Sequence, residues 1–166
     1  ADRLAALKGD RRFNLHTGVA GAADLPAIAR LADTVSFDMV GDDATIGEVL
    51  GLKNRTVADY ADCYARLREH CRVAPHICIG LHGGEIRGEY RALDLLNELG
   101  ADSLTFIIFT PTRGTRFADR PPPALADAVK LLTTARTMFP AVPIQLGCMR
   151  PGGRYLEVCW VNAGMA

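Results

Sequence analysis

Paired cysteines, an excess of one charge and long apolar runs are what this sequence lacks, and each absence removes a class of protein. Its five cysteines, Cys63, Cys71, Cys78, Cys148 and Cys159, are odd in number and contain no Cys-x-x-Cys pair. That argues against a structural zinc site and against a disulfide framework. Basic and acidic side chains number 19 each. Binding nucleic acid through its phosphates needs a basic excess or stripe, so no nucleic-acid partner is expected. No apolar run approaches the roughly 18 residues of a spanning helix, and the first residues do not read as a signal peptide. A cytoplasmic protein with no membrane contact is the expectation. No Gly-x-Gly-x-x-Gly follows the first strand, where a dinucleotide-binding sheet usually carries one.

What is present is enough for one domain: 166 residues, 49% of them hydrophobic, a length that buries a substantial core. The organising stretch is Pro75-His76-Ile77-Cys78-Ile79-Gly80-Leu81-His82-Gly83-Gly84-Glu85. An apolar strand runs into a glycine-rich corner, and a helix is expected to open near Glu85. Segments 12–17, 34–40, 74–80, 102–109 and 143–147 read as strands, and helical periodicity falls between them. Thr56 is the expected N-cap of a helix running to about His70. The unbroken apolar run Leu104 to Phe109 fits a strand covered on both faces. Arg154 to Asn162 is suited to one more helix.

Alternating strands and helices imply right-handed βαβ crossovers and a parallel sheet. The absent dinucleotide fingerprint and the polar residues at every strand end favour a partial (βα) barrel of about five strands, with helices on the outer face. A closed barrel takes about 250 residues, so residues 1–166 are expected to form one domain from the later part of a larger barrel. Phe37, Ile77, Ile79, Phe106 and Ile108 are then expected on an inner face that closure would cover. Pro121, Pro122 and Pro123 are expected on the outer rim, away from the site.

Ligands of parallel α/β proteins bind at the carboxyl ends of the strands. Reading that rim in order gives His16, Asp38, His82, Thr110 with Arg113, and Cys148 with Arg150. His16 sits between a strand and Thr17-Gly18. Asp38, between Phe37 and Met39, is expected to face the barrel mouth. Arg113 is either an exposed turn residue or a group that binds carboxylate or phosphate. Cys148 is either an inert thiol or, beside Arg150, a reactive one. Cys63 and Cys71 are expected in the core.

These motifs resemble a family. Ile77 to Glu85 is similar to the glycine-rich strand-turn of radical S-adenosylmethionine (SAM) enzymes, with one glycine more than the common Gly-Leu-x-Gly-Glu form. Phe109-Thr110-Pro111-Thr112-Arg113-Gly114-Thr115 resembles the Pro-x-x-Gly-Thr loop of biotin-synthase-like members. Val35-Ser36-Phe37-Asp38 and Gly147-Cys148-Met149-Arg150-Pro151-Gly152-Gly153 resemble archaeal-type biotin synthase homologues, which are related to two-component lipoyl synthases. The likeness runs from about Phe13 onward.

The resemblance implies SAM and a [4Fe–4S] cluster as cofactors, an electron donor such as ferredoxin or flavodoxin, and a small-molecule substrate or a lipoyl- or biotin-type precursor. It implies that His16 and Asp38 contact polar groups of SAM, that Ile79 and Gly80 back the adenine, and that His82 lines the cavity. Arg113 and Arg150 would orient an anionic substrate, and Cys148 would bind a second cluster or donate sulfur. No residue is assigned the catalytic step. The family's Cys-x-x-x-Cys-x-x-Cys cluster loop is absent, so its cysteines are expected upstream and this chain alone is expected to be inactive. Two other readings stay open. One is a metal-dependent barrel lyase or aldolase using His16, Asp38 and His82, weakened because Lys8, Lys53 and Lys130 all lie outside strand ends. The other is a non-catalytic, metabolite-binding partner subunit.

Overall fold

Burial alternates strictly along the third strand, Val73–Ile79, and that alternation explains the architecture. Val73, Pro75, Ile77 and Ile79 are buried, while Ala74, His76 and Cys78 are half-exposed. A strand that covers one face with helices and leaves the other open must read this way. The computed structural model describes residues 2–152. Its elements are α1 (Asp2–Lys8), β1 (Asn14–Thr17), α2 (Leu25–Leu31), β2 (Thr34–Asp38), α3 (Asp43–Glu48), α4 (Val57–His70), β3 (Val73–Ile79), α5 (Glu89–Leu99), β4 (Leu104–Ile108), α6 (Leu125–Met138) and β5 (Ile144–Leu146).

The five strands form one sheet in the order β1-β2-β3-β4-β5, and every neighbouring pair is parallel. Order in space follows order in sequence with no reversal. That is the wall of a (βα) barrel rather than a doubly wound sheet, whose order switches direction. Among the described residues, β1 and β5 are the edge strands of the sheet. Residues 154–162, expected as a further helix, and Cys159 lie outside the described residues.

Register assigns the two faces. Asp38 lies beside His76, His76 beside Thr105 and Thr105 beside Gln145, so one row across four strands is polar. Phe37, Ile77, Ile79, Phe106 and Ile108 point the other way and are at most 1% exposed. They pack with Tyr64, Leu67, Leu93, Leu96, Leu131 and Leu132 of α4, α5 and α6 in one core. This corrects two sequence expectations. Those five side chains belong to the helix-covered face, not an inner face awaiting closure. β4 is covered on one face only, since Thr105 and Ile107 are half-exposed. Phe106→Ala should therefore cost about 3–5 kcal/mol, read as a shift of the urea midpoint.

α4 begins where expected. The Thr56 hydroxyl accepts from Asp59 N–H, and an Asp59 carboxylate oxygen accepts from Thr56 N–H at 2.7 Å, a reciprocal cap. Thr56→Ala should lower stability by about 1 kcal/mol, measurable by the same titration. Cys63 is buried, as expected, and its sulfur accepts from Ala20 N–H; Cys71 at the helix end is half-buried.

Candidate functional site

The strand ends deliver their loops to one cavity of about 750 Å³, within the usual range for a small-molecule site. Asp38 to Asp42 bring the end of β2, Leu81 and His82 the end of β3, Phe109 and Thr110 the end of β4, and Met149 the segment after β5. Most of the lining is apolar, with Met39, Val40, Leu81, Phe109 and Phe117 among the contributors. The charged lining groups are Asp38, Asp42, Glu85, Arg87, Glu89 and Arg116, with His82 among them.

The best-defined of them is His82. Its Nδ1 lies 3.1 Å from the Thr45 hydroxyl, and its Nε2 lies 3.1 Å from a terminal nitrogen of Arg87. Thr45 donates its single hydroxyl proton to Asp42 at 2.6 Å, so toward His82 it accepts. That assigns the proton of a neutral imidazole to Nδ1 and leaves Nε2 as the acceptor for Arg87. Burial pulls the Asp42 carboxyl upward, but hydrogen bonds from the Thr45 hydroxyl and N–H, then the Arg87 charge, outweigh it and hold the group below its ordinary value. The ring of His82 is thus oriented at both nitrogens and forms a fixed wall.

Below it lies the glycine turn. Gly80, Gly83 and Gly84 all have positive φ, at 75°, 64° and 95°, a conformation that other residues adopt only with strain. One buried carboxylate holds the turn together. Glu89 accepts from Gly80 N–H at 2.7 Å, Arg87 N–H at 2.8 Å and Gly88 N–H at 3.0 Å. α5 therefore opens at Glu89, not near Glu85, because the chain spends Glu85 to Gly88 returning to this carboxylate. Pro123 is buried against Gly80, and the Pro121 carbonyl covers Gly84. The prolines therefore back the turn at the site, which corrects the expectation that they sit on an outer rim away from it.

Of the residues singled out from sequence, Asp38 and His82 line the cavity. Gly80 is buried in the turn beneath it. His16 is exposed on the polar face, and its ring centroid lies 5.4 Å from that of His76. His76 in turn places Nδ1 3.7 Å from Asp38. Ile79 points into the helix-covered core, with no exposure, so its side chain is directed away from the cavity. Arg113 and Cys148 are exposed and do not line it. Arg150 donates to the carbonyls of Leu146 and Gly147, closing the end of β5.

Sequence reading missed His76, Thr45, Arg87 and Glu89. His76 and Glu89 left a trace: a polar residue in an alternating strand, and a second Gly-Glu pair four residues after the first. Cys78 lies on the cavity side of β3. Burial first, then the charges of Glu89 and Asp38, push its thiol up to about 12, so it stays protonated at neutral pH.

No family model matches this sequence, and no curated protein matches it. Solved structures do. Methylornithine synthase aligns with 99% of this chain and 49% of its own, at a TM-score of 0.74 and 16% identity. The HMG-CoA lyase of Brucella melitensis aligns with 99% of this chain and 59% of its own, at 0.65 and 15%. The chain thus spans about half to three-fifths of the structures it resembles, and the likeness establishes a shared barrel-type fold.

Proposed function

We propose that this chain is the SAM- and substrate-binding part of a radical SAM enzyme. The observation that carries the reading is the cavity at the strand ends, lined by Leu81 and His82 of the glycine turn 80–84. It is supported by the fold shared along the whole chain with methylornithine synthase, a radical SAM enzyme. In this reading the exposed Asp38 carboxylate accepts hydrogen bonds from the hydroxyl or ammonium groups of SAM. His82 gives its oriented ring as a wall, and the apolar lining excludes water. The reaction of the longer protein is hydrogen abstraction from its substrate, with sulfur insertion of the biotin and lipoyl type as the specific case the sequence resemblance favours.

The [4Fe–4S] cluster of such enzymes does not fit the described residues. No group of three or more His, Cys, Asp or Glu side chains among them is arranged to hold a metal. Cys63, Cys71, Cys78 and Cys148 lie on α4, at its end, on β3 and after β5. What these residues supply is binding and orientation. The lyase reading draws on the likeness to HMG-CoA lyase and on the grouping of His16, His76 and Asp38; without a ready ligand set it ranks second.

Calorimetric titration of the chain with SAM, in the absence of iron, tests the proposal. Saturable binding is expected. Asp38→Ala, whose side chain is 67% exposed and thus dispensable for folding, should weaken it about tenfold, or ~1.4 kcal/mol. A wild-type chain that is folded yet does not bind SAM would sink the reading.

A further inference from the structure

Two tyrosines one turn apart on α4 have opposite fates. The rings of Tyr60 and Tyr64 both lie 5.9 Å from that of Phe37. Tyr64 is fully buried, and its hydroxyl donates to the Gly100 carbonyl at 2.9 Å. Tyr60 is 4% exposed and lines the cavity, yet among the described residues its hydroxyl has no hydrogen-bond partner. A buried tyrosine ordinarily pairs that group. The sealed, unpaired hydroxyl of the described residues is that of Thr17, so the Tyr60 oxygen is open to the cavity rather than shut in the core.

The rest of the lining has no hydroxyl to spare. Those of Thr45, Thr110, Thr112 and Thr115 all donate within the protein, and His82 is engaged at both ring nitrogens. Burial, then the charges of Asp38 and Cys63, hold the Tyr60 phenol above its ordinary value, so it keeps its proton at neutral pH. The capped first turn of α4 and the Phe37 ring fix the phenol in place, and a donor already placed loses little freedom when a ligand arrives. Charge narrows the ligand further. Four carboxylates and two guanidinium groups line the cavity, and Arg87 is paired with Asp42. The lining therefore carries a negative excess that disfavours an anion.

We propose that Tyr60 is a ligand-binding residue of this cavity, donating its hydroxyl proton to the oxygen of an uncharged alcohol whose apolar body lies against the rest of the lining. The inference rests on the cavity being a ligand site and is independent of radical chemistry.

The test is a ligand-observed NMR titration of the chain with three matched probes, 3-phenyl-1-propanol, propylbenzene and 3-phenylpropanoate. The alcohol is expected to bind more tightly than the carboxylate, by a margin that shrinks as salt is raised. Tyr60→Phe should weaken the alcohol about three- to tenfold, the worth of one neutral hydrogen bond, and leave propylbenzene unchanged. It should not lower the urea midpoint, because the hydroxyl it removes holds nothing in the fold. Tyr64→Phe should do the reverse, lowering the midpoint through loss of the bond to Gly100 while keeping the ratio of alcohol to propylbenzene affinity. Tyr90→Phe, at an exposed tyrosine of α5 outside the cavity, should change neither. No saturable binding of the alcohol, an affinity ratio that survives Tyr60→Phe, a midpoint lowered by Tyr60→Phe as much as by Tyr64→Phe, or tighter binding of the carboxylate would each overturn the proposal. Failure of the chain to bind SAM, with the Tyr60-dependent ratio intact, would defeat the radical SAM reading alone.

Discussion

Glu89→Ala is expected to destabilise the protein by about 3–5 kcal/mol, a large part of the roughly 5–15 kcal/mol that holds a domain of this kind together. The carboxylate is 6% exposed and accepts three backbone N–H groups. Its loss leaves Gly80 N–H and Gly88 N–H, both in buried residues, with no acceptor, and each such orphan costs about 1–3 kcal/mol. Glu89→Gln should cost about half as much. One side of the carboxamide can still accept, while its NH₂ faces an N–H donor on the other. Urea titration gives the ordering wild type, Gln, Ala. The Gln variant matching wild type would show that the charge is not what holds the turn. Because Gly80 and Arg87 hang on this one group, both variants should also weaken ligand binding at the cavity.

Gly88→Ala is the second large effect. A Cβ there would lie 2.6 Å from the backbone nitrogen of Asp42 and 2.6 Å from the carbonyl carbon of Gly41. Backbone cannot step aside as a flexible side chain can. Gly41→Ala is the mirror case, with its Cβ 2.2 Å from the Gly88 carbonyl oxygen. Either change forces apart the two loops that bring Asp42 and Arg87 together, at a cost above the usual 1–3 kcal/mol of overpacking. In a chain of this length that is a fall in Tm of about 10 °C. Gly47→Ala is the comparison: inside α3, with nothing within 4 Å of the added Cβ, it should stabilise by about 0.5–1 kcal/mol. Equal melting of the Gly88 and Gly47 variants would remove the close-approach argument.

Much of the fold was legible because the signals behind it are local. Strands and helices differ in the period of their apolar residues, a property of neighbours in sequence, so all five strands were found within a few residues of their ends. Thr56 was legible for the same reason, since a cap and its partner Asp59 are three residues apart. The expectation of a cavity at the carboxyl ends follows from parallel topology, and Asp38 and His82 do line the cavity there. Period two separates the faces of a strand but does not say which one the helices cover. Phe37, Ile77, Ile79, Phe106 and Ile108 were therefore placed on the wrong face, although Ser36, His76, Thr105 and Gln145 marked the open one.

The sequence by itself determined the elements, their parallel succession and the rim on which polar residues gather, because chain stereochemistry and short-range burial patterns act within a few residues. Only the tertiary structure decided which rim residues work together. Thr45 meets His82 across 37 positions, and Arg116 reaches the Glu48 carbonyl across 68. Contacts of that kind form when four loops converge on one cavity, and no local pattern encodes the distance between two loops. Arg87 and Arg113 look alike as loop arginines; packing against His82 turned one into the cavity and left the other in solvent.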